Sequence, residues 1–106
     1  MRDGLDTIHR VQTRFSKSSL SSRKRAANFA LIRHLEFENM LSISEIVALG
    51  ALGRKESRGS HTRTDYPARD DKAFLTHTIA RITNGKPAIS YAPVELGMFE
   101  PEERVY

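Results

Sequence analysis

Between Arg54 and Asp71 the chain reads Arg54-Lys55-Glu56-Ser57-Arg58-Gly59-Ser60-His61-Thr62-Arg63-Thr64-Asp65-Tyr66-Pro67-Ala68-Arg69-Asp70-Asp71. This passage holds the residue types that could do chemistry. His61, among Arg58, Arg63 and Asp65, has the makings of a general base, but such a base needs a nucleophile or substrate proton within hydrogen-bond reach and a pocket around it. The spacing supplies neither. His61 therefore reads as a structural member of a charged network, and Ser57 as a hydrogen bonder at a helix end. Asp65, Asp70 and Asp71 could gather a cation, but Arg63 and Arg69 beside them favour ion pairing. His9, His34 and His77 stand isolated, without metal-ligand spacing. The chain has no cysteine, which removes disulfides, thiolate metal sites and a Cys nucleophile. No G-x-G-x-x-G occurs. Alternating bases and acids can instead hold an extended arm in place, because guanidinium forks match carboxylates. The candidate network is Arg54, Glu56, Arg58, His61, Arg63, Asp65 and Arg69.

The elements that must position this passage follow from periodicity. Leu5, Ile8, Val11 and Phe15 fall at helical spacing and predict a first helix from about Gly4 to Phe15. Ser16–Ser22 is a serine-rich connection with N-cap candidates. A second helix starts at about Ser22 or Asn28 and runs to about Ser57. Leu31, Ile32, Leu35, Ile43, Ile46 and Leu49 form one face, and from Phe37 onward Met40, Leu41, Val47 and Ala51 make the other side apolar too. Such a helix is expected to be buried on more than one side, with Met40 in the core. Gly50 and Gly53 suggest close approach by another element, since glycine costs about 1 kcal/mol inside a helix. Their small-x-x-small spacing fits packing in water, because charged flanks speak against a membrane span.

Residues 58–72 have neither period and are expected to form an irregular arm, with Gly59 letting the chain leave the helix. Phe74–Thr83 is β-prone, Asn84-Gly85 predicts a two-residue hairpin turn, and a return strand runs from about Ala88 to Leu96, with Pro93 marking an edge. A lone hairpin is marginal in water, so this one should lie against something. No internal repeat is visible. The expected fold is mainly α: one domain over residues 1–106, with a helical hairpin (1–57), a charged arm (58–73), and a β-hairpin and tail (74–106).

Composition agrees with a small domain that needs a partner surface: 106 residues, 39% hydrophobic, 8% aromatic and 28% charged. The net charge of +4 is uneven. Residues 1–55 hold ten basic and five acidic side chains, and residues 56–106 hold seven and eight. Arg23-Lys24-Arg25 makes a local basic run. It permits a free-standing basic helical module that binds nucleic acid, but a solvated surface facing an acidic neighbour is the simpler account. Met1–Gly4 lacks the apolar run of a signal peptide, and no apolar run approaches membrane-spanning length. The expectation is a soluble segment of a reducing compartment, without direct membrane insertion.

The passage from Arg54 also carries a likeness. Arg54, Glu56, Ser57, Arg58, Gly59 and His61, then Asp65, Pro67, Arg69, Asp70 and Asp71, fit the pattern Arg-x-Glu-Ser-Arg-Gly-x-His followed by Asp-x-Pro and Arg-Asp-Asp. Upstream, Leu35-Glu36-Phe37-Glu38-Asn39-Met40-Leu41 and Asn28 fit a helix segment of the same family. Downstream, Tyr91-x-Pro93-Val94 and Pro101-Glu102-Glu103-Arg104-Val105-Tyr106 fit its tail. By these residues the sequence resembles the C-terminal domain shared by fumarate reductase and succinate dehydrogenase flavoprotein subunits. Aspartate oxidases and adenylylsulfate reductases share parts of that helical domain, but the hairpin and the ending look more like the succinate/fumarate branch.

The resemblance implies a parent subunit that carries FAD, interconverts succinate and fumarate, and passes electrons to an iron–sulfur subunit at the cytoplasmic face of a membrane. The family's flavin and dicarboxylate ligands belong to earlier domains, so this segment is expected to bind no cofactor, catalyse nothing alone, and brace the flavin-binding part. A nucleic-acid module has no need of the Arg54–Asp71 pattern. The family's domain is a three-helix up-and-down bundle whose first helix would be missing here. A symmetric homodimer is then expected to cover the two-sided second helix, with Gly50 and Gly53 near the crossing.

Overall fold

The computed structural model describes residues 2–102; the end of the tail, on which part of the resemblance rests, lies outside the described residues. Three helices and two strands follow in order: α1 (Arg2–Phe15), α2 (Phe29–Gly53), α3 (Asp71–Phe74), β1 (Thr76–Thr83) and β2 (Lys86–Pro93). No helix among the described residues is long and apolar enough to cross a membrane.

Asn28, rather than Ser22, opens the long helix. Its side-chain oxygen accepts the Leu31 N–H at 3.1 Å, satisfying one of the first-turn donors that lack an intrahelical partner. Its amide nitrogen donates to the carbonyls of Ser22 at 3.2 Å and Lys24 at 3.0 Å, fastening the preceding loop to the start of α2.

α1 lies against α2 as its stripe demands, with Leu5, Ile8, Val11 and Phe15 half-buried. Phe15 meets His34 at 4.4 Å between ring centroids and Phe37 at 5.4 Å. Glu45 ties the pair together, accepting from Gln12 at 2.7 Å and sitting 3.1 Å from His9. The core is thin. Leu41 is the one apolar side chain fully buried among the described residues. Met40, expected in the core, is 60% exposed. α1 is too short to wrap α2, and the hairpin covers only the C-terminal half of the long helix, so one face of it stays open.

α2 ends at Gly53, four residues before the expected end. Arg54 turns extended (φ −81°, ψ 106°) while its N–H still bonds the Gly50 carbonyl at 3.1 Å. Gly59 therefore does not serve the helix exit. Its φ of +58° instead closes a tight turn in which Arg58 and His61 exchange backbone hydrogen bonds of 2.8 and 3.0 Å.

The arm also contains α3, where the Asp70 carboxylate caps the Ala73 N–H at 3.0 Å. This takes up Phe74 and leaves β1 to begin at Thr76 rather than at Phe74. Asn84 and Gly85 both have positive φ (53° and 74°), and the antiparallel register runs from Thr83↔Lys86 to Thr76↔Pro93. β2 thus starts directly after the turn and stops at Pro93, whose missing N–H cannot extend the ladder. The hairpin supplies the close neighbour of the two helix glycines. A Cβ built at Gly50 would lie 3.6 Å from Thr78 Cγ2, and one at Gly53 would lie 2.8 Å from the Tyr91 hydroxyl. The glycines face the hairpin, so they are not where a second copy could cross.

Candidate functional site

Where α2 stops, the chain must satisfy its last carbonyls and turn the arm back. Arg63, only 7% exposed, does the first. Its Nη1 donates to the carbonyls of Leu52 at 2.9 Å, Arg54 at 3.1 Å and Ala51 at 3.3 Å. Its Nε and Nη2 hold the Asp65 carboxylate at 2.9 and 2.5 Å, and its guanidinium lies 4.7 Å over the Tyr66 ring. One planar fork serves a helix end and a carboxylate together, which an ammonium could not do.

Glu56 does the second. Its side chain is wholly buried and accepts from both flanking arginines. Arg54 Nη1 is one donor. Arg58 contributes Nε at 2.8 Å and Nη2 at 3.0 Å, and the Asp70 N–H completes the set at 2.8 Å. Arg54 also donates to the carbonyls of Phe74 at 2.9 Å and Thr76 at 2.5 Å, joining the clamp to the hairpin. Arg58 reaches on to Asp71 at 2.5 Å, and Arg69 meets Asp71 at 2.8 Å. Arg69 Nη1 then donates to the Glu102 carbonyl at 2.6 Å, holding the tail.

Burial alone would push the Glu56 carboxyl up, but the bonds from Arg58, the Asp70 N–H and Arg54 outweigh it and hold the group below the ordinary carboxylate range. The hydrogen bond from Arg58 likewise lowers Asp71, and that from Arg63 lowers Asp65. The bond to Glu56 raises Arg58 further. At neutral pH the carboxylates of Glu56, Asp65 and Asp71 are ionised and engaged, so each is a weak base. The arrangement positions backbone; it does not present a poised acid–base pair.

All seven residues read from the sequence fall in this one region, though His61 sits at its edge. The His61 ring nitrogen donates to the Arg54 carbonyl at 3.3 Å, and the ring lines a shallow groove with Val47, Gly50 and Thr78. Ser57, four residues past the helix, is a loop pin. Its hydroxyl donates to the Tyr66 carbonyl at 2.8 Å and accepts the Arg63 N–H at 2.9 Å. Asp70 and Asp71, expected to pair with Arg63 and Arg69, stand outside the seven-residue network read from the sequence. An Asp ahead of a helical turn is a readable cap signal for Asp70. Nothing in the spacing marks Asp71 as the bridge between Arg58 and Arg69. Among the described residues no group of three or more His, Asp or Glu could hold a metal ion. Nor does the clamp fit a flavin diphosphate, since its guanidinium groups are committed to carboxylates and carbonyls and, among the described residues, no glycine-rich turn opens a helix.

Comparison with known proteins assigns the whole chain. The family described as "Fumarate reductase flavoprotein C-term" matches residues 1–106. The chain belongs to this family. A fumarate reductase flavoprotein subunit of Mycobacterium tuberculosis is 38% identical over 103 residues, covering 96% of this chain and 18% of the relative. A fumarate reductase flavoprotein subunit of Haemophilus influenzae is 36% identical over 107 residues, covering 100% and 18%. A succinate dehydrogenase flavoprotein subunit of Bacillus subtilis is 32% identical over 103 residues, covering 95% and 18%. This member of the fumarate reductase flavoprotein C-terminal family thus spans 18% of the length of each of these relatives. The likeness read from Arg54–Asp71 is borne out along the whole chain.

Proposed function

We propose that this chain is the bracing domain of a flavoprotein oxidoreductase subunit that interconverts succinate and fumarate. FAD and the dicarboxylate are held by the flavin-binding part of that subunit, and electrons pass to an iron–sulfur subunit, with the complex at the cytoplasmic face of a membrane. The family match over residues 1–106 is the observation that carries this reading. The geometry supports a bracing role over a chemical one, because the clamp's guanidinium and carboxylate groups pair with each other and with backbone. They fix three things at once: the end of α2, the arm and the hairpin. What they offer a neighbour is a rigid surface.

Reconstitution in trans tests the proposal. The flavin-binding part of the Mycobacterium tuberculosis relative, without its own matching segment, is produced with and without this chain. The expected result is that the chain alone carries no flavin and that its presence raises flavin retention and succinate oxidation by the partner. A chain that binds flavin stoichiometrically by itself, or has no effect in trans, contradicts the proposal.

A further inference from the structure

Charge is sorted along the molecule in a way the clamp does not use. From Thr7 to Leu35 there are seven Arg and Lys residues and no Asp or Glu. Arg10, Arg14, Lys17, Arg23, Lys24, Arg25 and Arg33 are all exposed, and among the described residues none is in an ion pair. The Asn28 bonds to Ser22 and Lys24 fix the basic loop at the N-terminal end of α2. The opposite holds from Pro87 to Glu102, which contains Glu95, Glu100 and Glu102 and no Lys or Arg. Arg69 ties this acidic stretch to the arm, and Arg63 ties the arm to the C-terminal end of α2. The two charged ends are therefore a helix length apart, 25 residues or about 37 Å.

Between them runs the open face of α2. Ile32, Met40, Ile43 and Val47 are 49%, 60%, 61% and 63% exposed. At 100° per residue they fall in a single narrow arc, with Glu36 inside it. Exposed apolar strips on this scale mark interaction surfaces. We propose that this face is the interface of a symmetric homodimer formed by the separate chain, in which two α2 helices run antiparallel and the basic end of each lies on the acidic stretch of the other.

Charge fixes the direction. Parallel pairing would set the basic loop of Arg23, Lys24 and Arg25 against its own copy, whereas antiparallel pairing sets it against Glu95, Glu100 and Glu102. The strip fixes the centre. The midpoint between Ile32 and Val47 falls between Asn39 and Met40, so a two-fold axis there places Ile32 on the partner's Val47. Size requires the ends to take part. Sixteen helical residues give a strip about 24 Å long and about 10 Å wide. Its footprint is well short of the roughly 800 Å² that each partner buries in a stable interface. The charged ends must supply the remainder, and the association must weaken with salt.

Sedimentation equilibrium of the chain at tens of micromolar is the test. The expected result is a dimer whose dissociation constant rises about tenfold or more between about 0.05 M and about 0.5 M sodium chloride, as the screening length shortens. Met40→Glu with Ile43→Glu, both on the exposed face, should give a monomer with unchanged circular dichroism. The chain has no cysteine, so disulfide trapping reads the direction. Ile32→Cys chains should cross-link to Val47→Cys chains, and neither should cross-link to itself. A wild-type monomer, association indifferent to salt, or self-cross-linking of Ile32→Cys each overturns the proposal. A monomer that still rescues the flavin-binding part in trans overturns the dimer and leaves the bracing reading standing.

Discussion

Glu56 and Arg58, two residues apart in sequence, meet as a two-pronged pair, with Nε 2.8 Å from Oε1 and Nη2 3.0 Å from Oε2, and the carboxylate lies out of reach of solvent. Helical geometry would point residues two apart to different faces, so the pair forms only because α2 ends at Gly53. Removing one member of a buried, hydrogen-bonded ion pair leaves the other uncompensated, at a cost of about 3–5 kcal/mol. Glu56→Ala should therefore lower the urea midpoint severely. Asp65, 60% exposed, pairs with Arg63 at the surface, and Asp65→Ala should lower the midpoint far less. Equal losses would show that the clamp is not organised around Glu56.

The same carboxylates set the pH response. Glu56, Asp65 and Asp71 are all held below their ordinary values in the fold. A depressed carboxyl contributes stability that is fully present above the unfolded-state value, about 3.9–4.3, and is lost as pH falls through the folded-state value. The urea midpoint should be level near neutrality and decline in acid below about pH 4. Glu56→Gln should flatten that decline. An unaltered acid profile in Glu56→Gln would remove Glu56 from the account.

The two helix glycines should respond differently to alanine. At Gly50 a methyl group finds Thr78 Cγ2 at 3.6 Å, an ordinary contact, so Gly50→Ala should stabilise by about 0.5–1 kcal/mol through helix propensity. At Gly53 it meets the Tyr91 hydroxyl at 2.8 Å, and the Tyr91 ring packs edge-on against Phe74. Gly53→Ala should be neutral or destabilising and should improve in a Tyr91→Phe background. A double-mutant cycle on thermal midpoints reads this directly, and an absent coupling would contradict the contact.

Arg63 tests the claim that a planar fork closes the helix. Arg63→Lys keeps the charge but cannot reach Leu52, Arg54 and Asp65 together. It should cost about 1–3 kcal/mol through buried carbonyls left without a donor. Amide exchange at the last turn of α2 should quicken more than exchange in α1.

Much of this was legible in the residues. The stripe of Leu5, Ile8, Val11 and Phe15 marked α1, and Asn84-Gly85 marked the hairpin, because local chemistry decides both. The Arg54–Asp71 passage marked the network for the same reason, through arginine and carboxylate alternation. The rest depended on contacts between distant parts. α2 stops at Gly53 because Arg63, ten residues on, takes its carbonyls, and no helical signal at Arg54 or Ser57 records that. Met40 reads as core by its neighbours, yet its exposure depends on how far α1 and the hairpin reach. Asp71 joins the clamp only because the arm folds back to bring it beside Arg58.

The most direct measurement of the central claim is turnover per bound flavin in the reconstituted complex, wild-type chain against Arg58→Ala. The bracing account predicts less complex and less retained flavin with Arg58→Ala, but unchanged succinate oxidation for each flavin that remains. Full assembly with full flavin content and a selective loss of turnover would contradict it, and would place Arg58 in the chemistry instead.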